Sequence, residues 1–394
     1  FSEDCTAVPC FVMFILTRAT EDGVAAAGAN LGIGFANGTE EVAISVYAED
    51  GSAGSDTDRA HRTSGNAFFL FSEAAVDGNA DFSAWLVNGI QVNVTSAFNA
   101  QYLVTAVIFG GASFQSVVGA ATLGNVGAET DVNTVGFEPD LVFVMGIRRS
   151  GTGDSDDITQ FFSFGAAVNG GSQGSIGCDA TDGVSSSEVF AVTSSQYALR
   201  YPDVVSGLGP GAEVTNWDAQ GFSLITRDKN TTSTVRYAAL DLGTAAASVF
   251  DIDAPTSTGS SSAAAGIQSQ FGMVLGTLAR SYDAKESDSD ADSCMIGVAT
   301  MDTDSQFVNE IVNDDGAAVM DTSSGSNDSF ILMNPGDGSC AAGSCYVGTM
   351  TSFGATTWNL DYTSVFSDAT RKWIGLAIGA APAGARRRGV HVIQ

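Results

Sequence analysis

Three short apolar stretches decide the fold: Phe-Val-Met-Phe-Ile-Leu at residues 11–16, Leu-Val-Phe-Val-Met-Gly at 141–146 and Phe-Gly-Met-Val-Leu-Gly at 271–276. They recur at a constant interval along the chain. Short apolar runs rich in β-branched and aromatic residues, with glycine-rich turns around them, are typical of buried strands. Such a regular recurrence predicts several copies of one larger unit within the chain.

Further landmarks follow each stretch in the same order. They are a second strand-like segment, an acidic turn that ends in glycine, a tryptophan before an alternating strand, and a closing strand. Together with the opening stretch, this order occurs three times, which predicts three tandem repeats of one domain. The landmarks fall at residues 32–38, 49–51, 85 and 102–110, then at 162–170, 181–183, 217 and 237–243, and then at 294–300, 314–316, 358 and 373–379.

The predicted fold is all-β, with three tandem homologous β-sandwich domains of a jelly-roll-like kind. Glycine is abundant, at 46 residues, and strong helix formers other than alanine are scarce. Each repeat is long enough to bury a core of its own. We expect Trp85, Trp217 and Trp358 to be core anchors at equivalent positions. The predicted boundaries are residues 1–112, 113–246 and 247–383, followed by a tail at 384–394.

The first repeat lacks a segment that the other two have. Residues 114–139 and 250–268 lead into the second and third opening strands, whereas only residues 1–9 precede the first. A missing first strand would leave an unpaired sheet edge, which is unfavourable in solution unless something covers it. We therefore expect the edge near residues 11–17 to be covered by another chain or by a remote part of this one.

The charge composition excludes several classes of partner. The chain has 45 acidic and 16 basic residues, which gives a formal net charge of -29. A nucleic-acid-binding surface needs clustered cations, and an anionic membrane surface would repel so acidic a protein. No apolar run approaches the length of about 18 residues that a membrane-spanning helix needs. We therefore expect neither nucleic acid nor membrane as a partner.

The C-terminal tail carries the clearest group of basic residues, Arg386, Arg387 and Arg388. On an otherwise acidic protein these arginines could dock on an acidic neighbour and act as assembly contacts. A disordered tail is the alternative. If the arginines do make assembly contacts, deletion of residues 384–394 weakens assembly, and more so at low salt, where charge contacts are least screened.

Two pairs of cysteines share one spacing: Cys5 with Cys10, and Cys340 with Cys345. Each pair could close a small disulfide loop in an oxidising environment. The other two cysteines, Cys178 and Cys294, belong to different repeats. We expect them to be small buried residues that stay unpaired with each other.

The sequence offers few residues that could serve in catalysis or bind a metal ion. A Gly-x-Ser-x-Gly pattern occurs at residues 170–174, but a nucleophile elbow needs a histidine within reach. His61 stands among cations and looks like an exposed loop residue, and His391 lies in the tail. The acidic runs at 154–157 and 288–292 suit at most adventitious calcium, because the second lacks the glycine and glutamate of a calcium loop. We therefore predict no catalytic residue, no cofactor, no metal site and no enzyme.

The approach to the second opening strand carries a resemblance to a known family. Residues 135–143 read Val-Gly-Phe-Glu-Pro-Asp-Leu-Val-Phe, after a glycine- and threonine-rich lead-in. This pattern resembles virion structural proteins of tailed bacteriophages. The resemblance covers nine residues of the second repeat; the first repeat keeps only Pro9, and the third lacks the proline.

The resemblance implies β-sandwich domains that decorate heads, tails or fibres, and it transfers no functional residues. It also implies a non-enzymatic protein of the virion, an extracellular particle, whose partners are other virion proteins or copies of itself. A secreted or surface carbohydrate-binding adhesin, with a host-surface glycan as partner, is the alternative. Exposed aromatic residues on loops would favour it. A polysaccharide-degrading enzyme ranks last, because the many acidic residues nominate no catalytic pair.

Overall fold

The computed structural model describes residues 4–393 except for 52–55, 63–64, 73–74, 88, 150–152, 156–159, 185–187, 204–206, 286–291, 302–304, 314–321, 334–344 and 381–388. Within this part of the chain every regular element is a β-strand, which confirms the all-β fold class. A helix of the length and apolar character needed to cross a membrane is not found among these residues.

The N-terminal third contributes most strands of one large sheet and forms a separate small sheet. Their orders are β5-β4-β3-β1-β9 and β6-β7-β8. The opening strand β1 therefore lies inside its sheet, between β3 and β9. The strands are β1 (Cys10–Thr17), β2 (Ala26–Ala27), β3 (Ala29–Ala36), β4 (Glu41–Ala48), β5 (Thr57–Arg62), β6 (Phe68–Ser72), β7 (Ala75–Leu86), β8 (Gly89–Ser96) and β9 (Val104–Gly110).

The middle third forms a second large sheet and a second small sheet. Their orders are β10-β20-β12-β14-β15-β16 and β11-β19-β18-β17, while the short β13 pairs with β5 of the first large sheet. The strands are β10 (Gln115–Thr122), β11 (Glu129–Val132), β12 (Leu141–Gly146), β13 (Gly153–Ser155), β14 (Gln160–Val168), β15 (Gln173–Ala180), β16 (Val189–Ser194), β17 (Leu199–Pro202), β18 (Leu208–Asp218), β19 (Gly221–Arg227) and β20 (Thr234–Asp241).

The C-terminal third forms the third pair of sheets. Their orders are β21-β30-β23-β24-β25-β26 and β22-β29-β28-β27, with β2 added beside β26. The strands are β21 (Ala245–Asp253), β22 (Gly259–Ala264), β23 (Ser269–Thr277), β24 (Asp292–Thr300), β25 (Gln306–Asn313), β26 (Thr322–Asn327), β27 (Ile331–Met333), β28 (Tyr346–Phe353), β29 (Thr357–Ser364), β30 (Lys372–Ala380) and β31 (Gly389–Ile393).

The large sheets share one strand order. In the second and third, a lead-in strand lies beside the closing strand, which lies beside the opening strand: β10-β20-β12 and β21-β30-β23. The first large sheet has the same order, with β31 in the lead-in place: β31-β9-β1. This order is consistent with the predicted repeat. That the three repeats superimpose as homologous domains stays a prediction.

The large sheets are apolar on both faces, which is why their strands read as continuous apolar runs. The outer faces pack on the small sheets and form separate clusters. The inner faces meet in one common cluster. Phe109 joins all three sheets there, because its ring centroid lies 5.9 Å from Phe11, 6.3 Å from Phe143 and 5.3 Å from Phe271. The core is therefore shared between the repeats, and not confined to each as their length suggested.

The three tryptophans do not all occupy equivalent positions. Trp85 on β7 and Trp217 on β18 each lie shortly before a hairpin turn, whereas Trp358 lies on β29, after the turn. Its cross-strand partner is Phe353, in the place before the turn. The prediction of three equivalent positions is therefore wrong for Trp358. Cross-strand partners share one face of a sheet, so the large ring can come from either strand of the hairpin.

The expectations for His61 and for the pair Cys178 and Cys294 are also wrong. In both cases the residues contact parts of the chain that are distant in sequence. His61 is fully buried and lies on β5, not on an exposed loop, since β4 and β13 flank that strand. Cys178 on β15 and Cys294 on β24 form a disulfide, with their Cα atoms 6.4 Å apart. The expectation that these two cysteines stay unpaired is wrong, because the common core brings the second and third large sheets face to face.

Cys5, Cys10 and Cys345 do not belong to the common core. Cys5 and Cys10 form a disulfide with an S–S distance of 2.07 Å, the pairing that their spacing predicts. Cys345 is also disulfide-bonded, whereas Cys340 lies outside the described residues.

Removal of the Cys178–Cys294 disulfide is expected to cost more stability than removal of the Cys5–Cys10 disulfide. The first bridges residues 116 apart in sequence and the second residues 5 apart. Loop-closure entropy gives losses of about 5 and about 2 kcal/mol, because the longer loop restricts the unfolded chain more. Denaturant unfolding of the Cys178→Ala/Cys294→Ala variant, with Cys5→Ala/Cys10→Ala as the matched control, measures both. Equal losses, or a larger loss in the control, would contradict the assignment.

Candidate assembly surfaces

The C-terminal strand completes the first large sheet. β31 pairs antiparallel with β9, so that Gly389 lies opposite Gly110 and Ile393 opposite Ala106. β10 and β21 hold the same place beside β20 and β30 in the other two large sheets. A remote part of the chain thus supplies the strand in the lead-in place of the first large sheet.

The predicted location of the open edge needs correction. Residues 11–17 belong to β1, which has β3 on one side and β9 on the other. The edge that lacks a lead-in strand is that of β9, and β31 of the same chain covers it. The prediction for the tail rested on its charge alone. The alternating Gly-Val-His-Val-Ile at residues 389–393 was the signal for a strand there.

The chain passes from one large sheet to the next in a cyclic order. After β9 it joins the second sheet at β10, after β20 it joins the third at β21, and after β30 it returns to the first at β31. Each time, the incoming strand pairs with the closing strand of its new sheet. The covalent connections between closing and incoming strands therefore link the three sheets in addition to the common core.

The basic tail residues Arg386, Arg387 and Arg388 lie outside the described residues, so their assembly contacts stay a prediction. Most of the acidic run at 288–292 also lies outside them, as do the side chains of residues 154–157. Among the residues that are described, no group of three or more His, Cys, Asp or Glu side chains could hold a metal ion. The Gly-x-Ser-x-Gly stretch at 170–174 includes the tight turn between β14 and β15.

Two buried arginines join the N-terminal and middle thirds. Arg59 donates from Nη1 to the carbonyl oxygen of Ile147 at 3.0 Å, and its guanidinium lies 5.1 Å from the centre of the Phe161 ring. Arg236 donates from Nε to the carbonyl oxygen of Arg62 at 2.9 Å. Burial lowers the pKa of both guanidinium groups to about 10, which leaves them protonated at neutral pH.

Two of the few lysines converge on one aspartate near the junction of the middle and C-terminal thirds. The Lys229 Nζ lies 2.7 Å from Asp203 Oδ2, and Lys285 donates to the carbonyl oxygen of the same residue. The Lys285 ammonium also lies 3.3 Å from the centre of the Phe190 ring. These rare cations are thus engaged by partners within the chain.

An open groove runs along the junction of the first and second large sheets. It consists of two hollows of about 320 and 420 Å³ that share Thr39. The half-buried rings of Phe82, Trp85 and Phe137 line it. Its polar lining includes Asn37, Glu40, Glu41 and Gln115.

The walls of this groove are fixed by local contacts. Asn37 Nδ2 donates to the carbonyl oxygen of Ser116 at 3.2 Å, which joins the two walls. Gly38 has a φ of +93°, and a Cβ there would lie 2.7 Å from Trp85 Nε1, so the turn requires glycine. The backbone N–H of Phe82 donates to Glu41 at 2.8 Å, while burial raises the pKa of that carboxyl group. The groove could not be predicted from local sequence, because it forms only where strands of the N-terminal and middle thirds meet.

The stretch that resembles virion proteins has a local structural role. Gly136 adopts a φ of +81°, which favours glycine. The Asp140 carboxylate accepts the backbone N–H of Leu242 at 2.8 Å, and its carbonyl oxygen accepts the N–H of Asn169 at 3.0 Å. The motif therefore holds the start of β12 against the end of β20 and the turn after β14. No family model matches the sequence, and no curated protein matches it.

Removal of residues 389–394 is expected to expose the edge of β9. Backbone amides of β9 should exchange faster with solvent, while those of β20, beside β10, should keep their protection. The reason is that β31 alone lies beside the outer edge of β9 among the described residues. Hydrogen exchange with mass spectrometry on the deletion variant and on a chain lacking only Gln394 measures this. Unchanged protection of β9 would show that β31 does not cover it.

Proposed function

We propose that this protein is a non-enzymatic virion structural subunit that assembles on a phage head or tail, with copies of itself or other virion proteins as partners. The observation that carries the proposal is the common core of three large sheets with one strand order. Three related domains in one chain can take the places of three identical subunits around a three-fold axis. Such a unit presents three similar faces that differ in their loops.

The distribution of charge supports the same proposal. Arg59, Arg236 and Lys285 contact groups within the chain, while the net charge is -29. An acidic exterior keeps a protein hydrated and limits non-specific adhesion, which suits the outside of an extracellular particle. The closed first sheet adds to this, since β31 removes an edge that would otherwise invite unspecific pairing.

Immunogold electron microscopy tests the particle role. Antibody raised against the purified chain should label phage particles from the source culture at regular positions on the head or tail. Antibody adsorbed beforehand with the purified chain is the control and should leave the particles unlabelled. Label confined to cell surfaces, with none on particles, would overturn the virion role and favour an adhesin.

The groove beside Trp85 favours the alternative function, a carbohydrate-binding adhesin. Sugar rings stack on aromatic side chains, and hydroxyl groups need acceptors and donors nearby. The groove combines the rings of Phe82, Trp85 and Phe137 with Asn37 and Glu40. Its open form suits an extended glycan better than a small enclosed ligand.

Glycan binding by two tryptophan variants tests this alternative. Trp85→Ala should weaken binding at least tenfold, because stacking in the groove is lost. Trp217→Ala is the matched control, since Trp217 holds the corresponding place on β18 but lies outside the groove. A glycan array followed by calorimetry on any ligand found measures both. Absence of binding to every glycan, or equal losses in the two variants, would remove the adhesin function.

A further inference from the structure

The outer edge of β8 lacks the neighbour that its counterparts have. In the second and third small sheets, β11 pairs with β19 and β22 pairs with β29. β19 and β29 are the second strands of the hairpins in their small sheets, and β8 is the corresponding strand in the first small sheet. Among the described residues, β8 pairs only with β7. The place that β11 and β22 take elsewhere is therefore open beside β8.

Inward-facing side chains are more exposed on β8 than on β19 and β29, because β8 has no neighbouring strand on its outer side within the described residues. On β19 and β29 three such residues after the turn are at most 2% exposed. On β8, Ile90 and Val92 are only partly buried and Val94 is 54% exposed. Val94 faces inward, because its cross-strand partner Ala80 is fully buried. The buried residues of the other two strands are Phe222, Leu224 and Thr226 on β19, and Trp358, Leu360 and Tyr362 on β29.

The sequence of β8 also lacks the usual protection of a free edge. Residues 89–96 read Gly-Ile-Gln-Val-Asn-Val-Thr-Ser, with no charged residue and no proline. Exposed edge strands are normally short, or carry lysine, proline or an inward-facing charge. On a chain with a net charge of -29, an uncharged edge of eight residues is a place where like molecules can meet without repulsion at the contact.

We propose that β8 pairs antiparallel with β8 of a second molecule of this chain, across a two-fold axis. The two small sheets then join into one continuous sheet, and each molecule covers the open edge of the other. With Asn93 on the axis, Val92 of one molecule lies opposite Val94 of the other, so the valines of both bury each other. This contact goes beyond the function proposed above, because it would form in a particle subunit and in an adhesin alike.

A second molecule suits this edge better than an unrelated strand. A two-fold antiparallel pair satisfies two identical edges with one set of backbone hydrogen bonds, and it is the commonest arrangement of homo-oligomers. The alternation Val-Asn-Val is complementary to itself when the strand is reversed. A single strand pair buries less area than a standard interface of about 1,600 Å², so a weak dimer with Kd in the micromolar range is expected.

Sedimentation and hydrogen exchange of the full chain test the proposal. The protein should dimerise as its concentration rises, and the amides of β8 should become protected over the same range. Val94→Lys should weaken the dimer at least tenfold, because it places two ammonium groups beside the axis. Val126→Lys is the matched control: Val126 is 50% exposed on the loop between β10 and β11, and the dimer should be unchanged.

Three results would overturn the proposal. The first is a monomer at all concentrations with unprotected β8 amides. The second is a dimer that Val94→Lys leaves intact, because the contact then lies elsewhere. The third is protection of β8 that does not depend on concentration, because a segment of the same molecule then covers the edge. The exchange measurement needs only the wild-type chain, so it decides the matter even if Val94→Lys fails to fold.

Discussion

The packing of three large sheets against one another around Phe109 is the constraint on which the rest of the structure depends. Each of these sheets is apolar on both faces. Among the described residues, a small sheet covers one face and the other two large sheets cover the second. A single repeat would therefore expose a large apolar face, which soluble proteins rarely tolerate. The three thirds of the chain are thus joined in one folding unit by the common core.

The connections between the sheets follow from this arrangement. Because the large sheets lie against one another, the chain can leave one at its closing strand and join the next with few residues between, as it does from β9 to β10 and from β20 to β21. β31 repeats that step and returns to the first sheet. The small sheets lie outside the common core. In the part of the chain that the structure describes, the first of them therefore has an open edge at β8 without disturbing the core.

Much of the fold could be predicted from local sequence. The opening stretches at residues 11–16, 141–146 and 271–276 all lie in central strands, because continuous apolar runs can be satisfied only where neighbours cover both faces. The sequence does not say what covers the inner face. An apolar strand has the same sequence pattern whether it packs on its own small sheet or on another large sheet. This is why the common core and the Cys178–Cys294 disulfide were missed.

Other errors have the same origin in long-range pairing. Trp358 lies one strand away from the predicted place, because a hairpin accepts the large ring on either strand. His61 is buried on β5, which pairs with a short strand of the middle third that no local pattern links to it. The groove beside Trp85 forms between segments that are distant in sequence, as the contact of Asn37 with Ser116, 79 positions apart, illustrates. Composition and spacing carry no information on such contacts.

Unfolding of Phe109→Ala, followed by hydrogen exchange at several places in the chain, tests the shared core most directly. Loss of a buried phenylalanine should lower the free energy of unfolding by about 3–5 kcal/mol. If the core is common, β1, β12 and β23 should lose protection together, in one cooperative transition. Phe98→Ala, which removes a ring from the cluster between the first large sheet and its small sheet, should affect β12 and β23 far less. Loss of protection confined to β1 and its neighbours in Phe109→Ala would contradict the account and indicate independent domains.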